Sequence, residues 1–189
     1  MIRIGIIGNI GSGKSYVAQN FGYPVFNADY EVAQLYQQDK KIFTKLKKIL
    51  PKYIQSFPVE KKEITNSILA NKNNLKKIVK IVHVEIRKKM KDFLKKHKNK
   101  KIVILDIPLL LENKINKKKD ILVFIQSKQS DILKRLRKRK NFNQKLLKKF
   151  KNIQYPIRHK KKISNFIIKN DFTKKTVNDY IRNILKEIA

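Results

Sequence analysis

Five short stretches of the chain are largely apolar and rich in β-branched or aromatic residues: Ile2 to Ile7, Pro24 to Asn27, Ile102 to Asp106, Ile121 to Ile125 and Asn165 to Ile168. Apolar runs of that length, bounded by turn residues, predict strands buried on both faces of a parallel sheet. Between them the apolar positions recur at spacings of three and four. The clearest case runs from Leu75 to Leu94, where Leu75, Ile78, Val79, Val82, Ile86, Met90, Phe93 and Leu94 line one side of a helix and lysines cover the other. The last helix, 174–188, places Val177, Ile181, Ile184, Leu185 and Ile188 together in the same way. Tyr16 to Phe21 predicts a helix ended by Gly22, another follows Asp29 as far as Gln37, and 131–153 predicts two helices joined by a short polar break before and around Asn141. Pro51 and Pro58 divide the basic helical stretch from Lys40 to Lys98.

Strands alternating with helices predict right-handed crossovers and an α/β fold, a three-layer sandwich around a doubly wound, five-stranded parallel sheet. The expected core comprises 1–39, 100–130 and 155–189, with a helical substrate-binding insertion at 40–99 and a mobile helical lid at 131–154. Sheets of this kind take ligands at the carboxyl ends of their strands, where Asp29 and Asp106 fall.

At 189 residues the chain is one domain, or a domain with an insertion, and no stretch reaches the ~20 apolar residues of a membrane helix. It carries no cysteine, which leaves no disulfide, thiolate metal site or catalytic thiol and fits a reducing compartment. Together with an N-terminus that lacks an export signal, this predicts a cytoplasmic protein without a membrane partner. The net charge of +33 first points to nucleic acid. Of the 47 basic residues, however, only 7 are arginine, and 40 lysines stand beside 28 isoleucines and 17 asparagines. That bias follows A+T-rich coding rather than a selected nucleic-acid surface, which favours arginine forks. No specific nucleic-acid partner is expected, and the chain is read as a monomer or weak homo-oligomer.

The chemistry begins at Gly8-Asn9-Ile10-Gly11-Ser12-Gly13-Lys14-Ser15, between a buried strand and a helix. This is the phosphate-binding P-loop pattern in the context it requires. Glycines let successive backbone N–H groups face a phosphate, the helix N-terminus adds its dipole, Lys14 reaches the β and γ oxygens, and the Ser15 hydroxyl serves Mg²⁺. Gly8, Gly11, Ser12, Gly13, Lys14, Ser15 and Tyr16 are therefore candidate nucleotide-binding residues, and ATP with Mg²⁺ the expected cofactors. Asp106 closes an apolar strand, where a carboxylate orients the metal or its waters; Asp29 ends another. Either carboxylate can order a metal shell or accept a proton from an attacking hydroxyl, and Asp29 is the better base. Guanine recognition needs Asn-Lys-x-Asp, and Asn116-Lys117-Lys118-Lys119-Asp120 has one residue too many. A small kinase fits better than a GTPase, its lid arginines clamping phosphates and excluding water. Another nucleoside or nucleotide kinase, or a basic nucleic-acid-binding ATPase, are the alternative readings.

In order along the chain, Gly8 to Ser15, Asn27-Ala28-Asp29, Asp106-Ile107-Pro108-Leu109-Leu110-Leu111-Glu112, Arg135 and Arg139, Gln154, and Ile167-Ile168-Lys169-Asn170 resemble the motifs of one family, dephospho-coenzyme A kinase. The resemblance implies ATP-dependent phosphorylation of the ribose 3′-hydroxyl of dephospho-coenzyme A. It also implies catalytic roles for Lys14, Asp29, Arg135 and Arg139, a metal site at Ser15 and Asp106, and Asn170 near the adenine. The acceptor is expected at Asp29, Lys61, His83, Pro108 and Leu109, and one of Lys160, Lys161 and Lys162 is left close to the ATP phosphates. From composition alone that lysine run is solvated surface. The chain departs from the family pattern at Asn27, which stands where an Asp is usual, at Lys61 in place of Arg, at Val84 in place of Pro, at Ser164-Asn165 in place of Ala-Asp, and around Asp171-Phe172, where a Gly is missing.

Overall fold

A computed structural model of the chain describes residues 1–139 and 142–188. Five strands, β1 (Ile2–Gly8), β2 (Val25–Asn27), β3 (Ile102–Asp106), β4 (Ile121–Gln126) and β5 (Phe166–Lys169), form one sheet in the order β2-β3-β1-β4-β5. Every neighbouring pair is parallel, as the unbroken apolar runs predict. The chain divides into two compact units, Met1–Asn27 with His97–Ala189, and Ala28–Lys96.

In the first unit, α1 (Lys14–Asn20) and α9 (Lys174–Ile188) cover one face of the sheet. Ile4, Ile6, Ile102, Ile104, Val123, Ile125 and Ile168 from the strands pack with Val17, Ala18 and Phe21 of α1 and Val177, Ile181 and Ile184 of α9. These side chains are buried, so shortening any of the core isoleucines to alanine should cost about 2–5 kcal/mol. α8 (Ile157–Lys162) lies against β1. Gly5 of β1 is small because the loop after β3 passes over it: a Cβ there would stand 2.6 Å from Leu110 Cδ2. β5 is an edge strand, and only Ile168 of its four residues is fully buried. At the amino ends of β1 and β4 a buried Arg3 donates to Asp120 at 2.9 Å, and the Asp120 carboxylate also accepts the Lys117 amide at 2.8 Å.

The second unit is helical: α2 (Ala28–Gln38), α3 (Lys40–Ile49), α4 (Lys61–Ala70) and α5 (Lys72–Lys96). α5 exceeds the predicted 75–94 at both ends, and its stripe narrows to Ile78, Val82 and Ile86 as the fully buried apolar residues. Ile42 and Leu46 of α3 and Ile64 and Ile68 of α4, two helices that contact α5, are buried as well. The unit opens at Ala28 rather than at 40, because α2 packs on α3 and α5. Glu63 closes a capping box: its carboxylate accepts the amides of Gln55 at 2.8 Å, Ser56 at 3.1 Å and Glu60 at 3.1 Å, which fixes the turn entering α4.

Candidate active site

β1 delivers its last residue, Gly8, into a loop that ends at the N-cap of α1. Two features give that loop its shape. Gly13 takes φ 89°, and a Cβ there would lie 2.5 Å from the Asn170 side-chain nitrogen, so only glycine fits without strain. The Ser12 carbonyl is drawn outward by two donors, the Ser127 hydroxyl at 3.0 Å and the Asn170 amide at 2.8 Å. Ser12 itself is buried, and its hydroxyl is one of the buried side-chain atoms without a hydrogen-bond partner. Because Gly13 supplies no capping side chain, the first amides of α1 are left for an acceptor from outside the helix. The Lys14 ammonium folds back over the loop, donating to the Asn9 carbonyl at 2.9 Å and the Gly8 carbonyl at 3.3 Å. This is a ring of backbone dipoles with one cation at its mouth, an arrangement that takes an anion.

A carboxylate stands beside that cation. Asp106, at the end of β3, is 4% exposed, accepts the Asn27 side-chain amide at 2.8 Å and bonds the Ser15 hydroxyl. The parallel register sets Asn27 opposite Asp106, which is why an amide at 27 reaches it. Burial pushes the Asp106 carboxyl above its ordinary range, and the Ser15 bond and the Lys14 charge oppose that rise. Ser15 and Asp106 thus offer two hard oxygens in contact, which suits Mg²⁺, a metal that takes few protein ligands and completes its shell from water and phosphate. Among the described residues no group of three His, Cys, Asp or Glu stands ready to hold a metal.

On this charged flank of the loop, Gly8, Lys14, Leu109, Glu112, Gln154 and Lys160 line one narrow recess. One lysine of the run at 160–162 departs here from the reading as solvated surface, while Lys162 remains exposed. Lys160 is buried and bonds Glu112 at 3.2 Å, and the same Glu112 oxygen accepts the Tyr155 amide at 2.7 Å. Composition could not reveal this, because the partner lies in the loop after β3. Leu109, in that loop, takes φ 57°, and Pro108 beside it is half-buried.

Apolar side chains also touch the loop. Ile132 and Leu136 of α6 (Gln129–Arg137) press on Gly11, where a Cβ would meet both at 3.0 Å. The first part of the predicted lid is therefore seated on the core, whereas α7 (Gln144–Asn152) buries no residue; Asn141 lies outside the described residues. Arg135 stacks on the Phe172 ring at 4.3 Å, and Arg139 is exposed beyond the end of α6. Asn170 is buried, its amide on Ser12 and its oxygen on the Phe172 amide at 2.9 Å. Tyr16, in the first turn of α1, is 40% exposed.

Three predicted residues belong to the second unit. Asp29 is exposed in the first turn of α2, and Lys61 is exposed in the first turn of α4. His83 is half-buried on α5, where burial first and the Arg87 charge second lower its pKa from 6.5. An open hollow of about 570 Å³ in this unit is lined by other residues, among them Gln34, Gln38, Lys40, Lys41 and Lys89.

The dephospho-CoA kinase family model matches residues 2–176. A dephospho-CoA kinase of Wolbachia from Brugia malayi is 31% identical over 191 residues, 98% of this chain and 97% of the relative. That of Wolbachia pipientis wMel is 33% identical, covering 98% and 97%. A Thermus thermophilus protein of known crystal structure superposes with a TM-score of 0.80 at 25% identity, over 100% of this chain and 98% of its own. With the loop, the strand-end carboxylate and the five-stranded parallel sheet in place, the chain belongs to the dephospho-CoA kinase family.

Proposed function

We propose that this enzyme transfers the γ-phosphoryl group of ATP to the ribose 3′-hydroxyl of dephospho-coenzyme A, giving coenzyme A, the final step of that cofactor's synthesis. The observation that carries the reading is the contact set of Lys14, Ser15 and Asp106 at one phosphate-cradling loop, in a chain related to this family over nearly its whole length. The β and γ phosphates lie on the amides from Gly11 to Ser15, with Lys14 between them, and Tyr16 and Asn170 stand on the nucleoside side. Ser15 and Asp106 would hold Mg²⁺, which when bound offsets charge on the phosphate oxygens. Asp29 accepts the proton of the 3′-hydroxyl as its oxygen attacks the γ-phosphorus in line and the bond to the departing ADP oxygen breaks.

Lys61, His83, Pro108 and Leu109 hold the acceptor. A lowered pKa leaves His83 neutral near pH 7, so its ring both donates and accepts a hydrogen bond. The two arginines act on the nucleotide: Arg139 on the charge spread over the transferring group, Arg135 from its seat over Phe172. Positioning and preorganised positive charge supply most of the rate enhancement, since phosphoryl transfer asks little covalent work of the protein. The reading carries a cytoplasmic location, no membrane and no specific nucleic-acid partner, and a monomer or weak homo-oligomer. No helix among the described residues is long and apolar enough to cross a membrane.

The test is a panel of acceptors incubated with ATP and Mg²⁺: dephospho-coenzyme A, AMP, uridine and shikimate. Phosphorylation of dephospho-coenzyme A above the others supports the reading; preference for another acceptor, or hydrolysis stimulated only by nucleic acid, overturns it. Asp29→Asn should lower turnover by about 100- to 10,000-fold while ATP still binds, and a near-normal rate removes Asp29 as the base.

A further inference from the structure

Ser127 stands outside the phosphate-binding motif, directly after β4, yet its hydroxyl donates to the Ser12 carbonyl within the loop at 3.0 Å, across 115 positions of chain. The Asn170 side-chain amide, directly after β5, donates to the same oxygen at 2.8 Å. The two donors are tied to each other. β4 and β5 run in parallel with Gln126 opposite Lys169, and the Asn170 backbone N–H donates to the Gln126 carbonyl at 2.7 Å. Two neighbouring strand ends therefore bring two side chains to one carbonyl oxygen.

Where that oxygen points decides where the next amide points. The Ser12–Gly13 bond is trans, so the Ser12 C=O and the Gly13 N–H face opposite sides of one plane. Holding the oxygen toward Ser127 and Asn170 turns the Gly13 N–H away from them. The backbone alone does not enforce this sense. Half a turn of that peptide changes mainly ψ of Ser12 and φ of Gly13, and glycine, here at φ 89°, accepts φ of either sign. Glycine is nevertheless required, because a Cβ at 13 would stand 2.5 Å from Asn170 Nδ2. The residue that the close approach demands is thus the one that leaves the peptide free to turn. In the turned state the loop would lose an amide from its anion-facing side and gain a carbonyl oxygen, which repels a phosphate.

We propose that Ser127 is a positioning residue: its hydroxyl, together with Asn170, locks the Ser12–Gly13 peptide in the sense that presents the Gly13 N–H to a phosphate oxygen of the donor. The inference rests on the nucleotide reading of the loop and adds a residue, remote from the motif in sequence, on which phosphate affinity depends.

Gly13 is the single glycine of the chain that follows a serine, so protein carrying ¹³C-carbonyl serine and ¹⁵N glycine reports on this one peptide. The probe is inorganic tripolyphosphate with Mg²⁺, its dissociation constant measured beside the Gly13 amide signal. In the parent the Gly13 amide proton should move downfield as tripolyphosphate binds, the mark of a new bond to an acceptor. Ser127→Ala should weaken tripolyphosphate and ATP alike by about three- to tenfold, the scale of one hydrogen bond, and at saturation its Gly13 signal should move less than the parent's. Ser127→Thr keeps the hydroxyl and should stay within twofold of the parent for both ligands. A thermal melt of each variant separates lost binding from lost folding. Parental affinity in Ser127→Ala, or weakened affinity with a Gly13 signal that still reaches the parental position, overturns the inference while tripolyphosphate binding by the parent upholds the phosphate loop. A parent that binds neither ATP nor tripolyphosphate refutes the phosphate reading of the loop, and the inference falls with it.

Discussion

Among the described residues, the first unit contains two buried ion pairs that are nearly alike in construction and unlike in position. Arg3 and Asp120 meet at 2.9 Å with side chains 9% and 3% exposed; Lys160 and Glu112 meet at 3.2 Å with side chains 3% and 9% exposed. Each carboxylate also accepts one backbone amide, from Lys117 at 2.8 Å and from Tyr155 at 2.7 Å. Desolvating two opposite charges is costly in either case, and burial by itself does not say what the cost serves. Their neighbours differ. Arg3 and Asp120 tie the amino ends of β1 and β4 together, whereas Glu112 and Lys160 share a recess with Lys14 and Gly8 at the carboxyl ends of the strands. Ligands of parallel sheets gather at those carboxyl ends, so one device is a brace at one end and part of the phosphate surroundings at the other.

The largest effect that bears on this contrast comes from the phosphate end. Lys14→Ala should lower turnover by about 100- to 1,000-fold with little change in stability, because its ammonium serves the ligand and its bonds in this structure go to the loop's own carbonyls. Steady-state kinetics beside urea unfolding checks both halves; an unstable variant would mean that Lys14 braces the loop.

Next come the pairs themselves. Arg3→Met and Lys160→Met each leave a buried carboxylate without its cation, and each should cost about 3–5 kcal/mol in urea unfolding. Per folded molecule the two should part company: Arg3→Met within twofold of parental kcat/KM, Lys160→Met reduced by at least tenfold, mostly in kcat. Equal losses in both, or in neither, would break the distinction between the two ends of the sheet.

The same pairs mark how far the sequence could be read. β1, the loop and α1 were legible because strand, glycines and helix follow one another along a single stretch, and each glycine answers a local demand of backbone shape. Asp106 was legible from its place at the end of an apolar strand. The resemblance left one lysine of 160–162 near the phosphates, but composition could not say that Lys160 is buried, since a lysine in a lysine run signals solvent and its burial depends on a carboxylate 48 residues earlier in the chain. The position of α2 in the helical unit rather than the core was also hidden, for it depends on packing against α3 and α5 and leaves no mark in composition. Phe172 showed in sequence only as a missing glycine; that its backbone keeps a glycine-like φ while its ring takes up Arg135 emerges from the fold alone.

The smallest effect supplies a third term, a carboxylate held by amides without any cation. Glu63 accepts from Gln55, Ser56 and Glu60 in the helical unit. Burial alone would raise its pKa, but the backbone bonds together outweigh it and hold the carboxyl below its ordinary 4.5. Glu63→Gln should therefore cost only about 1 kcal/mol near neutral pH, the scale of one helix cap. A folded pKa below the unfolded one means that the ionised form is favoured by folding. The contribution is thus complete above the unfolded value and disappears as pH falls through the folded value. Urea unfolding of the parent and of Glu63→Gln at a series of pH values should show the gap between them closing on the acid side of 4.5. The large positive charge of the chain weakens both proteins in acid and cancels from the difference. A gap that stayed constant into acid would mean that shape rather than charge holds the turn before α4, and that a carboxylate without a cation adds nothing its neutral isostere lacks.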